Sequence, residues 1–99
     1  MAKTSDALKI LETLSKKDEE LQDMVREASL NARVAQIIYD ARTQAGLTQQ
    51  QLANLIGTKQ SVIARLEDAD YEGHSLSMLQ RIAQALNQRV EIQLMPSGS

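Results

Sequence analysis

Between Gln49 and Arg65 the chain gathers polar side chains whose shapes suit base edges and phosphates. A glutamine such as Gln60 can engage adenine N6 and N7 together, and an arginine such as Arg65 can fork onto guanine O6 and N7. The hydroxyls of Thr58 and Ser61 and the ammonium of Lys59 suit phosphates or base edges. Gln49 lies near a helix start, where an amide side chain and a helix N-terminus together can meet a backbone phosphate. Ala64 shares the outward side with this set, while Val62, Ile63 and Leu66 fall opposite. Alone, such a set also describes the exposed polar face of an ordinary helical bundle. The spacing of the residues around it separates the two readings.

No comparable cluster serves catalysis. His74 is the single histidine, and Asp68, Asp70 and Glu72 stand near it at a spacing that could hold a hard cation only weakly. A solvated acidic loop is the expectation there. No Ser-His-Asp, HExxH or glycine-rich phosphate motif is present. Lack of cysteine excludes disulfides, thiolate metal sites and a thiol nucleophile, and fits a reducing cytosol. The sequence therefore predicts no catalytic residue, no metal and no cofactor.

The polar set needs a scaffold that holds it outward. Thr48 and Gln51 form a T-x-x-Q capping box, which starts a helix. Leu52, Ala53, Leu55 and Ile56 supply its buried side, and Gly57 sits where a tight turn needs positive φ or a close approach. Thr58 or Lys59 opens the next helix. Two helices across a glycine-bearing turn make a helix-turn-helix, whose second helix fits the major groove. Gly46 is a C′ stop for the helix before. Asp68 to Gly73 reads as a polar loop, and Ser75 or Ser77 caps a further helix carrying Leu76, Leu79, Ile82, Ala83 and Leu86.

Upstream, residues 1–4 read as disordered, and Ser5 is placed to cap a short helix over 6–14 with Leu8 and Leu11 on one side. Ser15 with Asp18 resembles a second capping box, followed by acids in the first turn. Leu21, Met24, Val25 and Ala28 then make an amphipathic stripe. Leu30, Val34, Ile37, Ile38 and Ala41 continue it without Gly or Pro. The spacing predicts either one helix from about Lys16 to Ala45 or two with a break near 29–31. The stripe reads first as intramolecular core and second as a surface for a partner or a dimer mate. Tyr39 reads as core or core edge. Arg33 and Arg42 suit ion pairs or solvent as well as phosphates.

After Leu86 the apolar period shifts to two. Val90, Ile92 and Leu94 alternate with Glu91, Gln93 and Met95, which predicts a half-buried strand ended by Pro96. A lone strand cannot satisfy its own backbone groups. Pairing with the same strand of a second copy is the simplest solution. A frayed extension, or a strand completed by another protein, is the alternative.

Composition bounds the whole. Ninety-nine residues make about one domain, with an aliphatic core because Trp and Phe are absent and Tyr numbers two. Such a small core gains from oligomerisation. Few turn residues (Gly 4, Pro 1) point to helices. No apolar run approaches a membrane span and no signal-peptide core leads the chain, so a soluble, cytoplasmic protein is expected. The net charge of −2 is unusual for a nucleic-acid binder, yet the excess acid lies in residues 1–28, with seven Asp/Glu against five Lys/Arg.

These residues carry a resemblance. AGLTQQQLANLIGTKQSVIARLEDA is similar to the helix-turn-helix of the Xre family, the Cro and cI type of repressor. An acidic leading helix, NARVAQIIYDARTQAGLTQ and the closing LQRIAQALNQRVEIQL resemble the HigA-like antitoxins of toxin–antitoxin pairs. The resemblance implies an all-α, lambda-repressor-like helix-turn-helix bundle over 29–87. It also implies an N-terminal helical extension over 1–28 and a C-terminal β-strand and tail over 88–99 that pairs across a dimer. A homodimer on a palindromic double-stranded DNA operator, repressing its own operon, is the implied function, with a RelE/HigB-like toxin as partner. A stand-alone regulator without a toxin is the alternative. In the family pattern the positions of Gln49, Lys59, Gln60, Ser61 and Arg65 touch DNA, and Glu67 fixes the end of the recognition helix. Leu21, Met24 and Val25 are the candidate partner surface. Relatives place a glycine soon after Leu66-Glu67, where this chain has Asp68, Ala69 and Asp70.

Overall fold

The computed structural model describes residues 2–97, with side chains from residue 8 onward. Four helices are present among the described residues: α1 over Ala2–Gln44, α2 over Gln49–Ile56, α3 over Gln60–Leu66 and α4 over Leu76–Ala85. The expected start at Ser5 and the second start at Ser15 are both overturned, because α1 runs unbroken through them. Local caps compete poorly there. A serine inside a helix costs only about 0.5 kcal/mol, whereas ending and renucleating a helix forfeits several hydrogen bonds. The alternative of a break near 29–31 is not taken, and the helix also begins well before Lys16.

The helix ends where its backbone can be closed. Gly46 takes φ 74°. Its N–H reaches the Thr43 carbonyl at 3.0 Å, and that of Leu47 reaches Arg42 at 3.2 Å, the paired bonds of a Schellman stop. Thr48 caps α2 in both directions: its side chain accepts from Gln51 N–H at 3.0 Å, while Gln51 Oε1 accepts from Thr48 N–H at 2.8 Å. Gly57 adopts φ 76°, as its place in the turn requires, and Thr58 N–H bonds the Ala53 carbonyl at 2.9 Å. Ser75, not Ser77, caps α4 by accepting from Met78 N–H at 3.1 Å.

The core is small and aliphatic. Ile38 of α1, Leu52, Ala53 and Ile56 of α2, Ile63 and Leu66 of α3, and Ile82 of α4 form one buried cluster. Val34, Val62, Tyr71, Met78, Leu79 and Leu86 pack against it partly buried. Leu55 and Leu76, expected inside, are exposed, and so is Tyr39 at the rim, its ring 5.3 Å from the Arg42 guanidinium carbon. Helices this short have room for two or three inward positions each.

The larger correction concerns the stripe on α1. Every residue from Leu8 to Leu30 is exposed, and Leu21, Met24 and Val25 are 57%, 63% and 63% accessible. The first reading, intramolecular core, fails because nothing folds back onto it. The radius of gyration is 20.1 Å, against about 13 Å for a compact domain of this length, and the longest extent is 69 Å. At about 100° per residue, the stripe also lies about a quarter-turn from the face of α1 that meets the core.

At the other end, residues 88–97 form no strand. One copy supplies no partner strand, and no backbone–backbone bond joins Arg89–Pro96 to other described residues.

Candidate nucleic-acid interface

The two helices of the motif face each other closely, and α3 buries Ile63 and Leu66 completely or nearly so. A seven-residue helix anchored by these two side chains has little freedom to roll. Its opposite side carries Lys59, Gln60, Ser61 and Arg65, all exposed. Thr58, ahead of the helix, and Ala64, between Gln60 and Ser61 on its outward side, are half-buried, so neither stands out as far as its neighbours. Lys59 occupies the N-cap position without a side-chain capping bond.

A chain of polar contacts ties this surface to α1. Arg42 is 8% exposed and grips Glu67 with both arms of its fork, Nε to Oε2 at 2.7 Å and Nη2 to Oε1 at 2.9 Å. A third bond runs from Nη1 to the Leu47 carbonyl at 2.8 Å. Hydrogen bonding to Glu67 raises the Arg42 pKa, and desolvation opposes this. Glu67 Oε1 also accepts from Gln49 Nε2 at 3.1 Å, and Gln49 Oε1 accepts from Gln60 Nε2 at 2.6 Å.

The direction of this relay follows from chemistry. An ionised carboxylate only accepts, so Gln49 must turn its NH₂ toward Glu67. That leaves Gln49 Oε1 toward Gln60, which must then donate. One Nε2 hydrogen and the whole Oε1 of Gln60 stay available, the donor–acceptor pair that adenine presents a match for in the major groove. Amide orientation, normally ambiguous, is fixed here by the charged end of the chain. Gln49 is half-buried and held, so it presents its edge beside Gln60 instead of reaching out alone.

The loop after α3 manages without the glycine seen in the family pattern. Glu67 keeps φ −89°, and Asp68 supplies an Asx turn, its Oδ1 accepting from Asp70 N–H at 2.9 Å. His74 is not a solvated loop residue. Its Nε2 lies 2.7 Å from the Leu66 carbonyl at the end of α3, and its ring meets Tyr71 edge-on at 5.0 Å. Arg81 of α4 donates to the Ile56 carbonyl and closes the end of α2. Asp68, Asp70 and Glu72 are exposed, and no metal-holding group forms among the described residues.

Sequence reasoning paired neither Arg42 with Glu67 nor Arg81 with Ile56, since 25 residues separate each pair. A signal existed for the first. Arg42 falls four residues after Ile38 and seven after Ala35, on the apolar face, and a charge there demands a partner. Arg33 stays exposed.

Among the described residues no helix is long and apolar enough to cross a membrane. No curated protein matches the chain. The helix-turn-helix family matches residues 38–92, more than half of it, and spans α2, α3, α4 and the end of α1 from Ile38 onward. A glycine turn at Gly57, a buried inner side on α3 and an outward polar set accord with that match, and the chain belongs to the Xre-like helix-turn-helix family of DNA-binding transcriptional regulators.

Proposed function

We propose that the chain is a sequence-specific repressor that binds a palindromic operator as a cytoplasmic homodimer. It acts as the antitoxin of a RelE/HigB-like toxin and represses their common operon. The observation that carries the DNA reading is the oriented row Gln49–Gln60 beside exposed Lys59, Ser61 and Arg65. Gln60 and Arg65 read base edges, Gln49, Lys59 and Ser61 hold phosphates, and Thr58 and Ala64 border the contact. Residues 29–87 are the DNA-binding unit, and 88–99 join two copies through Val90, Ile92 and Leu94, which are exposed in the single chain. Residues 1–28 are the toxin-facing extension. Its exposed Leu21, Met24 and Val25 lie near Glu19, Glu20 and Glu27, which suits a basic partner with an apolar groove.

Selection from a random duplex pool with the full chain tests the reading. An enriched inverted repeat with half-sites about 34 Å apart is expected, with affinity falling linearly in log salt. An unenriched pool, or binding indifferent to salt, overturns it. Co-expression with the product of the adjoining reading frame tests the toxin. If that product is not held by the full chain, the stand-alone regulator is the correct reading.

A further inference from the structure

A second apolar surface lies away from the recognition helix. Ile37 and Ala41 of α1, with Ala45 just past its end, face Leu86 across a groove of about 520 Å³, edged by Asp40, Gln44 and Gln88. Ile37 is 63% exposed although it belongs to the part of α1 that meets the core. Leu30, seven residues earlier on the same side of the helix, is 59% exposed and prolongs the apolar ridge. No residue of α2 or α3 lines the groove, so it stays open when α3 faces DNA.

The chain also carries an extended segment without a seat. Val90, Ile92 and Leu94 are 36%, 63% and 100% exposed, and the backbone there makes no ladder bond. This segment begins at the edge of the groove, since Gln88 lines it, yet does not fill it.

We infer that the groove receives the Val90–Leu94 segment of a second copy of this chain. The inference rests on the dimer reading above and adds the receiving surface. Lengths agree: Val90 to Leu94 spans about 13 Å when extended, and Ile37 to Ala45 rises about 12 Å along the helix. Small Ala41 and Ala45 leave room for the branched side chains. Asp40 stands at the rim, and Arg89, which leads the segment, can trade its exposed pairing with Glu91 for that carboxylate. A two-fold exchange fills both grooves in one step and brings the two segments together, where their free backbone groups can pair.

The chain has no cysteine, so introduced thiols report contacts without background. Full-length Ile37→Cys and Ile92→Cys variants, mixed and mildly oxidised, are expected to give a covalent mixed dimer, because a bridge needs Cα atoms within about 7 Å. An Ile37→Glu variant is expected to weaken dimerisation about tenfold or more in sedimentation, with its helix content unchanged. A dimer with no bridge between positions 37 and 92 overturns the groove assignment alone. So does an intrachain bridge in the double variant, or an Ile37→Glu variant that dimerises like the parent. A parent chain that sediments as a monomer overturns the dimer reading itself, and the groove assignment with it.

Discussion

Replacing Arg42 by alanine tests the physical core of the site. The substitution removes two bonds to Glu67 and one to the Leu47 carbonyl. It strands a carboxylate whose side chain is 4% exposed, with Gln49 as its remaining partner. Breaking a buried ion pair from one side costs about 3–5 kcal/mol. For a chain of this size that lowers the melting temperature by about 12–40 °C, a large part of its total stability. The pH dependence is equally specific. Arg42 is raised above its ordinary value, and a raised base contributes its full stabilisation below the unfolded pKa. The deficit of the variant is therefore the same throughout neutral pH, as far as Arg42 governs it. Thermal melts followed by circular dichroism read both quantities. A loss below about 1 kcal/mol would mean that the pair is not desolvated. The double variant Arg42→Met/Glu67→Leu separates stability from recognition. Apolar replacement of both partners restores most of the melting temperature, yet nothing then dictates which way Gln49 turns. Base discrimination at the position read by Gln60 is expected to relax while affinity for non-specific duplex persists. Discrimination retained in full would refute the relay.

Other substitutions address single contacts. Arg65→Ala is expected to cost about 1–3 kcal/mol on a selected operator and to relax one base position, read by competition gel shifts. Lys59→Ala should weaken binding to all duplexes alike and lower the salt slope by about one, measured by fluorescence titration. Leu21→Asp with Val25→Asp should change the unfolding free energy by no more than about 0.5 kcal/mol per substitution, since both residues are exposed. The same pair should abolish retention of the proposed partner on co-expression; unchanged retention would place that contact elsewhere. Gly57→Ala meets no neighbouring atom, so its cost is the φ of 76° alone, about 1–2 kcal/mol in a denaturant titration.

Sequence reasoning saw what is local and missed what is not. The Thr48–Gln51 box, the stops at Gly46 and Gly57 and the Ser75 cap are each closed by bonds within six residues; the first three lie where the pattern placed them, and Ser75 is one of the two serines it offered. The outward position of Lys59, Gln60, Ser61 and Arg65 follows from the inward pull of Ile63 and Leu66. Periodicity, however, tells which residues share a face and not whether anything covers it. Leu21, Met24 and Val25 repeat as core residues do, yet lie in solvent. Leu55 fails for the same reason on the short α2, and Tyr39 of α1 reaches only the rim, with 46% of its surface open. Ser5 and Ser15 show the converse error: a start signal is read locally, but a helix already under way ignores it. His74 needed the fold to bring it to the Leu66 carbonyl.

The unbroken course of α1 from Ala2 to Gln44 makes the extension a spoke in phase with its hub. Each residue removed between Leu30 and Leu21 turns everything beyond the cut by about 100° and draws it in by about 1.5 Å. Trimming seven residues would bring the spoke back to nearly its former bearing, whereas trimming five would swing it most of the way to the far side. An insertion in this stretch therefore keeps the tip on its bearing only when its count is close to a whole number of turns; other counts misaim it.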